Sequence, residues 1–187
     1  MDQYLEIRLL PDPEFVPSVL MNALFAKLHR ALVEGGSNRV GVSFPDHCAD
    51  PPSLGERLRL HGSGDDLRRL MDLNWLTGMR DHINLDGPRT VPEQVEHRVV
   101  RRVQAKSNPE RLRRRLIKRK ELDAEAALRA IPDTVAQCLR LPYISTNSQS
   151  TGKNFRLFIE HSPPVPEPVP GPFSHYGLGS ATTIPWF

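Results

Sequence analysis

The chain has 187 residues and a mass of 21.1 kDa, with 39% hydrophobic and 25% charged residues, the composition of a soluble globular protein of one large domain or two small ones. No stretch approaches the roughly 18 apolar residues of a spanning helix, and Met1-Asp2-Gln3-Tyr4 lacks the build of a secretory signal, so a cytoplasmic protein without a membrane span is expected. The net charge of +3 hides a segregation: residues 98–120 hold eleven of the 25 Lys and Arg against the single acid Glu110, a window of +10, while fourteen basic and 21 acidic residues leave −7 elsewhere. A solubility device would spread its charge, whereas a block of one sign on an acidic chain is what a polyanion-binding face looks like. The two cysteines, Cys48 and Cys138, lie far apart without Cys-x-x-Cys spacing, which argues against a disulfide framework and a cysteine-based zinc site. Both are expected reduced, Cys138 as core filler and Cys48 in a loop.

In chain order, Gln3 to Leu9 alternates apolar and polar residues as a strand with one buried face does, and Pro11 and Pro13 end it. From Val16 to Val33, Leu20, Met21, Leu24, Phe25, Leu28 and Leu32 recur at helical spacing until Gly35-Gly36. Arg39–Phe44 and Glu56–His61 read as strands. Gly62 to Gly64 turn the chain into Asp65-Asp66, read as the cap and acidic first turn of a helix through Leu67, Leu70 and Met71. A further strand belongs between His82 and Val91. Strand, helix, strand, strand, helix, strand is the split βαβ order of a ferredoxin-like domain, a scaffold shared with RNA-recognition modules and with many other tasks.

A second half begins near Gln94, giving expected domains of 1–94 and 95–187. Arg98 to Ala105 reads as a short strand or extended linker. Ser107 and Glu110 have capping-box spacing, and Pro109 suits the first turn of a helix that runs from about 108 to 120. On it Leu112 and Leu116 form one thin apolar stripe, and adjacent arginines without i,i+4 acid partners project around the rest. A short helix follows through Asp123 to Ile131, stopped by Pro132. Tyr143–Ser145 and Phe155–Ile159 read as strands, six prolines between Pro163 and Pro172 as an extended loop, and Phe173–Phe187 as a final apolar segment.

The arginine helix is the strongest chemical signal. Arginine forks suit phosphates and guanine edges, and the normally narrow A-form major groove opens near the end of a short hairpin stem. Arg102 and Gln104, two apart, point the same way if extended, and their forked groups suit purine edges. By spacing alone, His29 on the long helix reads as a structural histidine and Ser148-Gln149-Ser150-Thr151-Gly152 as a polar loop. Tyr176-Gly177-Leu178-Gly179-Ser180 matches neither phosphate-loop nor dinucleotide fingerprints. His47-Cys48 beside Asp46 and Asp50 lacks a second ligand pair, so no metal is expected.

Several stretches together resemble one family, the CRISPR repeat-processing endoribonucleases of type I-F (Ypest subtype) systems. They are Asp12-Pro13-Glu14-Phe15, Leu24-Phe25-Ala26-Lys27-Leu28-His29, Gly41-Val42-Ser43-Phe44-Pro45, Leu54-Gly55-Glu56-Arg57-Leu58-Arg59 and, most specifically, the run from Arg102 to Leu116. Ile131–Ala136, Ser148–Gly152, Phe155–Ile159 and Pro185-Trp186-Phe187 extend the likeness over nearly the whole chain. The resemblance implies an α+β protein: an N-terminal ferredoxin-like (RRM-like) domain, then a C-terminal domain with an arginine-rich helix and a small antiparallel sheet. It implies that the helix enters the major groove of a repeat hairpin. Arg102 and Gln104 match the family's base-reading pair at the bottom of the stem, Arg115 its contact to a guanine near the loop, and Phe155 its aromatic on the terminal base pair. Ser107, Arg111, Arg114, Lys118, Arg119 and Lys120 complete the expected RNA contacts. His29 and Ser148 match the active-site pair, with Ser150 and Tyr176 in support. At Lys118 and Lys120 the family more often has arginine and histidine, so charge is kept there and forks are not.

Such an enzyme needs no outside nucleophile, because a 2′-hydroxyl adjoins each scissile phosphate. His29 would take its proton as general base and Ser148 would hold the ribose in line. The products would be a 2′,3′-cyclic phosphate and a 5′-hydroxyl, formed without metal or small-molecule cofactor. The expected function is crRNA processing in antiviral defence, with the hairpin product retained among the other subunits of a type I-F surveillance complex. A structured-RNA-binding protein without catalysis is the main alternative, and a duplex DNA binder a third.

Overall fold

In β1 (Gln3–Leu9) the alternation places Leu5, Ile7 and Leu9 on one face, each at most 2% exposed, and Tyr4, Glu6 and Arg8 on the other. The computed structural model that shows this describes residues 1–104, 109–132, 139–147 and 154–187. The turn after β1 is closed by Asp12, whose Oδ1 accepts the backbone N–H groups of Glu14 and Phe15 at 2.8 and 2.9 Å. Next comes α1 (Pro17–Glu34), which opens on a proline at its first turn and ends at Gly35, as its apolar spacing predicts. Then follow β2 (Gly41–Ser43), the short strands β3 (Cys48–Ala49) and β4 (Pro52–Ser53), β5 (Arg57–Gly62), α2 (Gly64–Asp72), a 3-10 turn at Arg80–His82 and β6 (Ile83–Thr90). The main sheet has the order β2-β5-β1-β6, antiparallel throughout. With the β3–β4 hairpin set aside, this is the ferredoxin-like arrangement the element order predicts.

Two local expectations are corrected. The cap of α2 is Ser63, whose hydroxyl accepts the Asp66 N–H at 3.1 Å, so Asp65 and Asp66 are first-turn residues that favour the helix dipole. Cys48, expected in a loop, sits in β3, where it is exposed. Cys138 lies outside the described residues.

Past β6 the chain makes two strands where one stretch was expected. β7 (Glu96–Arg98) pairs with β11 (Ile184–Trp186), and β8 (Val100–Val103) pairs with β10 (Asn154–His161), which in turn pairs with β9 (Tyr143–Asn147). Val99 is the crossing point between the two sheets, a switch that a Val/Arg-rich run does not encode. Ile144, Leu157 and Ile159 are fully buried in the same core as α1 and the main sheet. The proline segment carries one backbone bridge, His97 with Val165.

The final segment covers the polar face of the main sheet. A Cβ at Gly41 would lie 2.6 Å from Ile184 Cγ2 and 2.8 Å from Phe173, so this close approach requires glycine. The Phe187 ring lies 4.1 Å from the Arg59 guanidinium carbon and 4.9 Å from Tyr4. The sheet face on which RNA-recognition modules stack bases is therefore filled by the chain's own aromatics.

By contact the chain forms two compact units, residues 1–103 with 141–187, and residues 104–140. The second holds α3 (Pro109–Lys120) and α4 (Ala124–Ala130), the latter capped by Asp123, which accepts from Ala126 N at 2.6 Å. Arg113 Nη1 donates to Ile131 O at 2.8 Å and ties the two helices. The capping box expected from Ser107 lies outside the described residues.

Three imidazoles in the first unit are shielded from solvent, His61 wholly and His47 and His161 in part. His61, wholly buried, has its pKa pushed down to about 3, first by desolvation and then by the Arg59 charge. His161 is pushed down to about 3 by burial, the stacked ring of His47 at 3.8 Å and Arg98; His47 is lowered by burial as well. Neutral in the fold and chargeable once unfolded, these groups stabilise fully above about pH 6.5 and lose that contribution as pH falls toward the folded pKa. His61 and His161 should each remove about 1.4 kcal/mol per pH unit below that point. Urea unfolding at pH 6.5 and 4.5 should show a fall of roughly 5 kcal/mol from the pair. His161→Phe should make the dependence shallower by one proton; an unchanged slope would remove His161 from this account.

Candidate functional site

Ser18, Asn22, Phe25 and His29 recur at i, i+4, i+7 and i+11, so they form one stripe of α1. Over its C-terminal end lies the turn Ser174–Leu178, closed by Gly177 N to Ser174 O at 2.8 Å and Ser174 N to Leu178 O at 2.9 Å. Gly177 has φ +69°, its carbonyl accepts from Val42 N at 2.9 Å, and a Cβ there would meet Val42 Cγ1 at 2.6 Å. Glycine therefore lets the turn sit directly on β2.

That turn grips His29 twice. The Tyr176 ring stacks on the imidazole at 4.0 Å and 9°, and is itself near-parallel to Phe25 at 6.3 Å. The carbonyl of His175 lies 2.8 Å from His29 Nδ1. A carbonyl only accepts, so Nδ1 carries the proton and, in the neutral ring, Nε2 keeps its lone pair. A half-buried imidazole with Nδ1 held by a carbonyl is so arranged that its neutral form presents Nε2 as the basic nitrogen, the arrangement a general base needs. The family resemblance brought His29 and Tyr176 forward; neither it nor the spacing brought forward Phe25 or the His175 carbonyl. A backbone acceptor leaves no side-chain signature to read. Ser148 and Ser150 lie outside the described residues.

β9 runs along the same helix: Ser145 N donates to Asn22 Oδ1 at 2.9 Å, closing the free edge of the β8-β10-β9 sheet. On β8, Arg102 pairs in register with Ile159, and alternation along β10 puts Phe155 on that same face. The Arg102 guanidinium is 5.6 Å from the half-buried Phe155 ring. Arg101 faces the opposite way, donating to Glu160 at 2.7 Å. Gln104 follows β8 and is exposed.

On α3, Leu112, Leu116 and Ile117 are half-buried, while Arg111, Arg114, Arg115, Lys118, Arg119 and Lys120 are exposed. The expectation that no acid sits at i,i+4 is corrected by Glu110, 3.7 Å from Arg114. With both side chains about 70% exposed, this contact offsets little of the charge. Among the described residues, no group of three or more His, Cys, Asp or Glu is placed to hold a metal ion, and no helix is long and apolar enough to cross a membrane.

A ferredoxin-like α+β unit with a gripped histidine, joined in one chain to a helix of exposed cations, defines a class of polyanion-directed protein. The family model for CRISPR-associated protein (Cas_Csy4) matches residues 4–187. The chain is 55% identical over 187 residues to the CRISPR-associated endonuclease Cas6/Csy4 of Pseudomonas aeruginosa (strain UCBPP-PA14), and 48% identical over 187 residues to the protein of that name from Escherichia coli (strain UTI89 / UPEC). Both comparisons cover 100% of each chain. The chain belongs to the Csy4 family of CRISPR-associated proteins, as the motifs from Arg102 to Leu116 led one to expect.

Proposed function

We propose that this chain is the endoribonuclease that binds the hairpin of CRISPR repeat RNA, cuts at the base of the stem through the 2′-hydroxyl, and keeps the product. The observation that carries this reading is His29: its Nδ1 is held by the His175 carbonyl and its ring by Tyr176, in a chain whose full-length relatives are named endonucleases. Nε2 takes the 2′-hydroxyl proton, the 2′ oxygen attacks the adjacent phosphorus, and the bond to the 5′ oxygen breaks as that oxygen takes a proton from water, giving a 2′,3′-cyclic phosphate and a 5′-hydroxyl. Because the nucleophile belongs to the RNA, the step requires no metal-activated water.

Ser148 is assigned to hold the ribose, with Ser150 in support. Chain reach supports this. β9 meets Asn22 at Ser145, three residues before Ser148, and extended chain covers about 3.5 Å per residue. His29 is seven residues beyond Asn22 on α1, about 10 Å along the axis.

In this reading residues 95–187 form the RNA-binding half. Arg102 and Gln104 read bases at the stem's foot, Phe155 stacks on the terminal pair, and Arg115 reaches a guanine near the loop. Ser107, Arg111, Arg114, Lys118, Arg119 and Lys120 hold the backbone. So many charged contacts, with nothing built to release the RNA, favour slow product loss, which suits a subunit of a type I-F surveillance complex in the cytoplasm.

The test uses a type I-F repeat hairpin in excess EDTA, beside the same hairpin with one 2′-deoxy at the scissile nucleotide. The all-RNA hairpin should be cut to a cyclic phosphate end, and the deoxy hairpin should be bound with the same affinity and left intact. Cutting of the deoxy substrate, or none of the all-RNA substrate in EDTA, would overturn the mechanism.

A further inference from the structure

The stripe of α1 that ends in His29 begins in a cleft that the hairpin reading leaves unused. This cleft, about 280 Å³, lies between the first half of α1, the β4 turn and the β9–β10 strands. Its polar lining is Ser18, Asn22, Ser53, Tyr143, Ser145 and Arg156. Tyr143 is 42% exposed. The Arg156 guanidinium lies over its ring at 4.7 Å, and Phe158, its partner in register, packs edge-on at 5.6 Å. No carboxylate among the described residues pairs with Arg156, so an exposed cation lies over an aromatic wall beside the hydroxyls of Ser18, Ser53 and Ser145. The volume suits a single nucleotide rather than a duplex. A guanidinium braced on an aromatic ring offers both a phosphate fork and a stacking plane, the combination by which proteins hold unpaired nucleotides.

We propose that this cleft binds single-stranded RNA flanking the cleavage site, with Arg156 on a phosphate and the Tyr143–Arg156 stack against the base. The inference rests on His29 being the cutting residue. From Asn22 to His29 is about 10 Å along α1, a distance a short unpaired flank spans on leaving the stem. The opposite face of the same sheet carries Arg102 and Phe155, so the hairpin and its flank would be read by two sides of one three-stranded sheet. Either flank, 5′ or 3′ of the stem, supplies the same chemistry.

The test measures binding to four hairpins carrying no flank, a 5′ flank, a 3′ flank, or both, with a non-cleavable 2′-deoxy at the scissile position. The native chain should gain about tenfold from one flank, the size of one charge-assisted phosphate contact. Arg156→Ala should lose that gain and bind the bare hairpin unchanged, Arg156→Lys should keep part of it, and 4-thiouridine at the responsible flank position should crosslink to Tyr143. The arm that gains identifies the flank. Equal binding of all four hairpins by the native chain, or a gain that survives Arg156→Ala with no crosslink, overturns the proposal while leaving hairpin cleavage intact. Failure to bind the bare hairpin, or to cut the all-RNA hairpin that carries both flanks, overturns the underlying reading and this one with it.

Discussion

His29→Ala is expected to bind the repeat hairpin as tightly as the native chain and to cut it about 10³-fold more slowly under single-turnover conditions, the scale of a lost general base. Single turnover matters because a retained product would otherwise mask the chemical step. The geometry around the imidazole sharpens the expectation. Tyr176 meets His29 face to face by its ring, stacked at 4.0 Å, while the hydrogen bond to Nδ1 comes from the His175 carbonyl. Tyr176→Phe keeps the stacking surface and should cut within a few-fold of native. Tyr176→Ala removes one of the two constraints on the ring, leaves the His175 carbonyl as the other, and should cost roughly 10- to 100-fold through misorientation. Cleavage by His29→Ala within tenfold of native would sink the assignment. Equal losses in the Phe and Ala variants would mean that the hydroxyl matters and that the stack does not.

The same site shows what a sequence can and cannot carry. α1 was legible from end to end because apolar spacing, a first-turn proline and a terminal glycine pair agree on one helix. The ferredoxin-like order was legible because each strand has one buried face or a clear turn at its end. Strands β7 and β8 were not separable, since the break at Val99 depends on which sheet each half joins, and those partners lie about 55 to 90 residues later in the chain. Ser63 lost the cap of α2 to Asp65-Asp66 on paper because two acids are a louder signal than one serine. In the structure only Ser63 has the extended backbone that lets its hydroxyl reach the Asp66 N–H. His29 by spacing alone looked structural, and the resemblance gave it a role. The tautomer that suits that role is set by a backbone carbonyl 146 residues away, which no residue type announces.

Glu6→Gln is expected to destabilise the chain by about 3–5 kcal/mol, the cost of stranding a buried charge. Glu6 faces the covered side of the main sheet, where Arg59 Nε and Nη2 donate to its Oε2 at 3.0 and 2.8 Å; the two side chains are only 10% and 7% exposed. Arg59 Nη1 donates to Phe187 O at 2.8 Å, and its guanidinium is flanked by the rings of Tyr4 at 5.0 Å and Phe187 at 4.1 Å. Arg57 touches Glu6 as well, at 3.4 Å, but it keeps its pairing with Asp46 at 2.6 Å, so the charge stranded by the substitution is that of Arg59. The pair is not expected to be worth 3–5 kcal/mol in itself, because desolvation of both ions offsets most of their attraction. The double variant Glu6→Gln, Arg59→Met should therefore recover most of the loss, a methionine being able to fill the slot between Tyr4 and Phe187. Urea midpoints of the two single variants and the double one make the cycle. A Glu6→Gln loss below about 1 kcal/mol would show that water reaches Arg59. The consequence for RNA follows from connectivity. Phe187 directly follows β11, β11 holds β7, and β7 leads in two residues to β8, the strand that carries Arg102. Loosening the Arg59 anchor should thus weaken hairpin binding in the Glu6→Gln variant at temperatures where the main sheet is still folded, and the double variant should restore it.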